Sequence, residues 1–447
     1  KAIDLAAPVF TLRGAPVSSN AIDDTLEAAF AGSSGQRLYA QGDLGPVFEG
    51  ATILASEYQV DAGLHLALEP PCATARVTEE GAEIWMATQA PGLARDAIAN
   101  ALGLPGEAVT LYPLHAGGSF GRAMDWDVGV QAALIARDMG RPVQLQWSRL
   151  EDVIQDRPSA PAHARMAAKL GRNGAIEGWL AKVAAPCALT QTWSRIADGA
   201  LPHAAAQQAA DASTRLAVAG MAPPYAIPNW AVDHYPADVG LPLGFMRGNA
   251  HMHGTFFTES FIDELAHLAN IEAMSFRIQM LGGNPRLAHC LSTAAALGGW
   301  QGGIAGSGQG IAAHMLDGAY AAVMVEAGME GDRLSVGRII AAVDAGDQVN
   351  PDIARQQIEG GLIFGLAYAT GASVRYAGGL PTRAILGRMN LPLLADIGEV
   401  SVEMIRSTAD PAGVADLVAP LVAPAIANAL YSWTGQRIRS LPLVGTP

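Results

Sequence analysis

The chain reads as an α+β body, and three features say so. Short strand-like runs alternate with longer Ala/Val/Leu-rich runs that read as helices. Glycine and proline, 50 and 27 of 447 residues, punctuate the boundaries between them. The strand-like runs must pair across long stretches of sequence, which favours mixed layers over a helical bundle. The length suits two or three domains, or one large body in two lobes.

The elements follow in order. Lys1–Phe10 reads as the last turn of a helix entering a strand, so the chain looks like part of something longer. Residues 22–31 are helical in pattern, with Asp23 and Asp24 suited to a first turn. Residues 49–62 and 72–87 alternate like strands, the latter turning at Glu79–Ala82. A helix over 91–103 ends at Gly103, a strand covers 109–114, and a helix covers 126–139. Arg141–Trp147 is a strand and Arg149–Asp152 a charged turn. Strands 163–170 and 176–186 flank Gly171-Arg172-Asn173-Gly174, a good hairpin signal. The Ala-rich stretch 202–220 is expected as a surface excursion, and 256–270 as a helix with acids on one face. Gly302–Gly310 marks a boundary. Strands over 311–326 and 333–344 follow, then helices Asp352–Ile363 and Pro424–Trp433, the last capped by Gly435.

Composition excludes several classes. A formal net charge of −14 argues against nucleic-acid binding and against adhesion to an anionic membrane. The three cysteines, Cys72, Cys187 and Cys290, form no CxxC and no Cys/His cluster, so neither zinc nor an iron–sulfur cluster is expected on this chain. Buried neutral thiols are the simpler reading.

The most informative residues are Gly117-Gly118-Ser119-Phe120-Gly121-Arg122, between a strand and a helix. A glycine-rich turn there presents unpartnered N–H groups, with the helix dipole adding positive potential. It is a seat for an anionic or oxo group, and Phe120 would lay an apolar face over it. The spacing matches neither the dinucleotide nor the P-loop pattern. Two further segments change the weight of this motif. Pro411–Pro420 runs into Leu421–Leu430, and the chain closes with Thr434–Leu443. With these, the sequence resembles the molybdenum-binding large subunit of the xanthine oxidase family, closest to the isoquinoline 1-oxidoreductase beta subunit and membrane-associated aldehyde dehydrogenase branch.

The resemblance implies a fold of two cofactor-binding lobes, residues 18–300 and 301–447, after the end of a preceding domain at 1–17. It implies a molybdenum–pterin cofactor, in its cytosine dinucleotide form, to which the protein gives no metal ligand. The implied reaction oxidises an aldehyde or N-heteroaromatic carbon by hydroxyl transfer from molybdenum. Electrons would leave to an iron–sulfur small subunit, with a cytochrome subunit as a further partner. By position, Gly117, Gly118, Ser119, Phe120 and Gly121 match the loop over the cofactor. Arg247 matches an arginine near the pterin and substrate, and Gln357 a glutamine beside the metal's oxygens. Asp344–Asp352 matches the stretch before that glutamine. Asp416 stands where the family has its base, a glutamate, and Ala415 where it has glycine.

Each residue also has a plain reading: Phe120 as a core aromatic, Arg247 as an ion-pair former, Gln357 as a solvated side chain, Asp416 as a helix cap. Leu417-Val418 and Asn390 also depart from the family's pattern, and the departures at Ser119, Ala415 and Asp416 support an alternative in which the chain is a non-catalytic relative or isolated domain with a structural role. An upstream glycine-rich segment of the family has no match, so the cofactor site is expected to be incomplete in this chain. His251 and His253 are expected on one side of a strand, as substrate contacts or structural groups. Glu69, in Leu68-Glu69-Pro70-Pro71 after His65, is expected as a buried, hydrogen-bonded acid.

Overall fold

A computed structural model describes residues 16–32, 35–196, 214–331 and 333–443. Lys1–Phe10 and residues 202–213 of the Ala-rich stretch lie outside them. Three larger sheets carry the described fold. The first has six strands, in the spatial order Gln36–Gln41, Asn229–Pro236, Ile176–Ala185, Ala162–Leu170, Leu54–Val60 and Ser440–Leu441. Its central hairpin is the predicted one. Along Ala162–Leu170, alternate residues Ala162, Ala164, Met166 and Ala168 are buried, the period of a strand with one face on a core. Ser440–Leu441 pairs in parallel with Gln59 and Val60, so residues near the chain's end close onto its first sheet.

The second sheet orders Gln309–Leu316, Ala319–Glu330, Arg333–Asp344 and Ile397–Met404. The strand expected over 311–326 is corrected to two strands. Asp317 and Gly318 take φ of +46° and +85° between them, the paired left-handed geometry of a tight hairpin, for which Asp-Gly is suited. The third sheet is Val109–Leu114, Ala82–Ala87, Cys72–Val77 and Val143–Gln146. Helices Pro91–Leu102 and Asp127–Met139 cover one face of it, burying Ile84, Ile98, Ala132 and Ala136.

Helices His251–Leu268 and Ala419–Thr434 pack on each other. The second lies on strands Gln309–Leu316 and Ala319–Glu330, and the first reaches strands of the six-stranded sheet. His251–Leu268 replaces the helix expected at 256–270. It is surrounded, so its acids are not on a wet face. Glu259 pairs with Arg277 at 2.9 Å, Asp263 with Arg437 at 2.7 Å, and Glu264 with Arg439 at 2.7 Å. Burial of such acids requires paired cations brought from elsewhere in the chain.

Other expectations shift for local reasons. Arg149–Asp152 is no turn but the start of helix Arg149–Ile154, capped by Ser148 Oγ on the Glu151 N–H at 3.1 Å. The strand expected over 49–62 is Leu54–Val60, preceded by the short helix Leu44–Phe48. Residues 214–218 form a 3-10 turn that buries Ala217 and Val218 and leaves Arg215 and Leu216 exposed. The helix expected from Asp352 runs Pro351–Thr370, with Asn350 Oδ1 capping the Ile353 N–H at 3.1 Å. The last helix begins at Ala419 and contains Pro424, and Gly435 ends it at φ +73° as predicted.

Candidate functional site

The strand Val109–Leu114 lies parallel to Ala82–Ala87 at the edge of the third sheet and delivers the glycine turn. Glu69 clamps that turn. It accepts the Gly117 N–H through Oε2 at 3.0 Å and donates its own N–H to the Gly117 carbonyl at 3.0 Å. Glu69 is exposed, which corrects its reading as a buried acid; its role is at the turn itself. The following helix starts only at Asp127, after the 3-10 turn Arg122–Met124, so its N-terminus is not at the glycines. Ser119 Oγ holds the intervening turn by accepting the Ala123 N–H at 3.0 Å.

Gly118, Phe120 and Gly121 have φ of +100°, +57° and +109°. For phenylalanine this left-handed conformation costs about 1–2 kcal/mol. Such strain persists where surrounding contacts fix it. Here they do. The Phe120 carbonyl accepts the Arg247 N–H at 2.8 Å, and its ring lies on Phe364 with centroids 4.7 Å apart. A Cβ on Gly121 would fall 2.1 Å from the Phe245 carbonyl oxygen, so only glycine admits this approach.

Arg247 is the hub. Its Nε donates to the Ala415 carbonyl at 2.6 Å. Its Nη2 donates to the Gln357 carbonyl at 2.8 Å and lies 3.4 Å from Gln357 Oε1. The neighbouring Gly248 N–H donates to Asp416 Oδ1 at 3.1 Å. A Cβ on Gly361 would come within 3.0 Å of Arg247 Nη2, so glycine on helix Pro351–Thr370 makes room for the guanidinium. Burial pulls the Arg247 pKa down, and the Asp416 carboxylate opposes this. The structure therefore brings Phe120, Arg247, Gln357, Ala415 and Asp416 together from four segments. Gln357 and Ala415 are exposed; Phe120, Arg247 and Asp416 are half-buried.

A supporting cluster lies behind the turn, and sequence reading missed it. His65 Nε2 is 2.8 Å from the Phe245 carbonyl oxygen and its Nδ1 is 2.8 Å from Asp156 Oδ1. With an acceptor at each ring nitrogen, both donate only in the imidazolium. Burial opposes that charge, but Asp156 and the Phe245 carbonyl raise the His65 pKa overall. Arg122 joins at 3.4 Å from Asp156 and 3.3 Å from Asp125. Residues 65, 122, 156 and 245 share no spacing signal, and His65 was tied instead to the nearby Glu69.

The histidine expectation is also corrected. His251 and His253 lie on a helix, where a spacing of two separates side chains by roughly 200°. His251 meets His314 with centroids 5.0 Å apart, while His253 Nε2 lies 3.3 Å from the Ala217 carbonyl oxygen. Of the cysteines, Cys290 is buried, with its pKa pushed up to about 12 by desolvation, whereas Cys72 and Cys187 are half-buried.

The structure thus gathers a glycine-rich turn, a guanidinium, an exposed amide and one carboxylate into one cluster held by hydrogen bonds within the chain. Models of the molybdopterin cofactor-binding domain match residues 30–281 and 298–398. The chain belongs to this family, the molybdenum-binding large subunits of the xanthine oxidase family. It is 30% identical to the beta subunit of isoquinoline 1-oxidoreductase from Brevundimonas diminuta, over 87% of this chain and 49% of that one. It is 26% identical to the membrane-bound aldehyde dehydrogenase of Gluconacetobacter polyoxogenes, over 88% of this chain and 53% of that one. The chain thus spans about half the length of these relatives. The aldehyde oxidoreductase from Desulfovibrio gigas shares its fold, with a TM-score of 0.72 at 16% identity, covering 92% of this chain and 62% of that one.

Proposed function

We propose that the cluster around Arg247 is the protein's half of a molybdenum–pterin site for oxidising an aldehyde or N-heteroaromatic carbon. The observation that supports this most is the convergence of Phe120, Arg247, Gln357 and Asp416 through hydrogen bonds centred on one arginine. The residues fit such a group. They offer hydrogen-bond donors and one carboxylate, which suits a cofactor that brings its own metal ligands. When bound, the cofactor supplies the redox chemistry. Gly118 and Phe120 shape the surface beside it, Gln357 offers its exposed amide, and Arg247 fixes the positions of Gln357 and Ala415. Asp416 is the base that takes a proton from the attacking oxygen. We further propose the cytosine dinucleotide form of the cofactor, a cradle completed by residues outside 1–447, and electron transfer to an iron–sulfur partner and onward to a cytochrome partner. The two lobes 18–300 and 301–447 would face each other across the cofactor.

A second reading has its own support. Asp416 Oδ1 already receives the Gly248 N–H, and Ala415 adds a methyl group where the family has none. In that reading Asp416 only braces the turn, and the chain has a structural role in its assembly. Metal content and turnover of the assembled protein separate the two. Molybdenum near one per chain with aldehyde or N-heterocycle oxidation supports catalysis; metal-free, inactive assembled protein supports the structural role.

A further inference from the structure

The histidines behind Asp416 carry an inference beyond the reaction class. His251 opens helix His251–Leu268 and donates its backbone N–H to the Gly248 carbonyl at 2.9 Å. Gly248 in turn donates to Asp416 Oδ1 at 3.1 Å, so one glycine links the His251 backbone to the carboxylate. The His251 ring meets His314, edge to face at 5.0 Å. His251 Nδ1 and His314 Nε2 are buried without a hydrogen-bond partner among the described residues, and Thr255 Oγ1 lies 3.4 Å from His314 Nδ1. An unsatisfied buried nitrogen costs about 1–3 kcal/mol. Two such nitrogens on rings in contact, one of them on the residue that Gly248 links to the candidate base, are places where a proton can be taken up.

The charged groups acting on His251 come from two other segments. Asp416 precedes helix Ala419–Thr434, and exposed Asp317 sits in the turn Asp317-Gly318. Both carboxylates favour the imidazolium; burial disfavours it more, and His253 and His314 are the other titratable neighbours. A ring of this kind stays neutral at neutral pH and takes a proton only in passing.

We propose that His251 is the proton-transfer residue behind Asp416, linking it to solvent at Asp317. After Asp416 has taken a proton, it passes that proton through one bridging water to the unprotonated nitrogen of His251. The other ring N–H releases its proton toward Asp317 and bulk water. Asp416 returns to carboxylate and His251 to its neutral form, so one proton enters and one leaves. This rests on Asp416 being the base proposed above.

Two measurements test it. The first needs no cofactor: nitrogen NMR follows the His251 titration in the full chain, with and without Asp416→Asn or Asp317→Asn. Each substitution removes a stabilising charge and should move the His251 titration to lower pH. An unmoved titration in either variant overturns the link. The second uses the assembled, molybdenum-loaded protein carrying His251→Gln. Steady-state turnover should fall at least about tenfold with a larger solvent isotope effect, while first-turnover reduction by substrate keeps its wild-type rate. Wild-type turnover in His251→Gln overturns the relay and leaves Asp416 as base untouched. Loss of the first turnover as well would mark His251 as structural and also overturn it. Wild-type turnover in Asp416→Asn would instead remove the base, and the relay with it.

Discussion

At the residue scale, the site depends on close approaches that admit one side chain each. Gly121 combines φ of +109° with a carbonyl 2.1 Å from where its Cβ would be. Gly121→Ala should therefore destabilise the chain by about 2–4 kcal/mol, combining left-handed strain with the shift a clash demands. A urea midpoint equal to wild type would contradict this. If Asp416 is the base proposed above, it is one methylene shorter than the glutamate that the resemblance implies there, and a misplacement near 1 Å can cost on the order of 100-fold in rate. Asp416→Glu, most fairly with Ala415→Gly, should raise turnover of a good aldehyde by up to ~100-fold. The two changes share one turn and should be non-additive. Steady-state assays at matched molybdenum content decide it, and lower turnover in both variants would show that the aspartate geometry is already the working one. That Phe120, Arg247, Gln357 and Asp416 would meet was legible, because a resemblance in order singled them out. Their contacts were not legible. Nothing in the spacing says that Arg247 would bond the carbonyls of residues 357 and 415, since a hydrogen bond to a backbone carbonyl leaves no mark on the acceptor's residue type.

At the element scale, patterning worked where one face is wet. Pro91–Leu102 and Asp127–Met139 were read nearly to their ends because each buries only one stripe. It failed where an element is buried all round. The start of His251–Leu268 was misread, and the burial of its acids was not foreseen, because periodicity carries no information in a helix without an outside. The pair of Arg277 and Glu259, at 0% and 1% exposure, shows the consequence. Arg277→Met should cost about 3–5 kcal/mol, because it strands a buried carboxylate. Adding Glu259→Gln should recover much of that loss, since an unpaired charge is no longer buried. Thermal or urea unfolding measures both, and a double variant no more stable than Arg277→Met would contradict the argument. The hairpin at Asp317-Gly318 was a missed signal rather than a hidden one, since Asp-Gly within a hydrophobic run is a turn marker.

At the scale of the whole molecule, the fold class was legible because strands and helices alternate, but the closing of late residues onto the first sheet was not. Pairing of Ser440–Leu441 with Gln59–Val60 spans nearly the whole chain, and two residues carry no pattern. Burial also sets a pH response. The His253 pKa is lowered from 6.5 to about 4 by desolvation. Between these values the unfolded chain binds a proton that the folded chain refuses. This residue's contribution is therefore complete above pH 6.5 and lost as pH falls toward 4, up to about 3 kcal/mol. Urea midpoints from about pH 7 to 4 should fall less steeply in His253→Gln than in wild type, and parallel slopes would contradict the assignment. The central claim is that four distant segments meet to form a molybdenum–pterin site in which Asp416 is the base. Its most direct test is turnover of an aldehyde and N-heterocycle panel by the assembled protein and its Asp416→Asn variant, at matched molybdenum content and with an artificial electron acceptor. The account predicts metal in both and turnover only in the wild type, because an amide does not accept the proton. Equal turnover in the two proteins would contradict it.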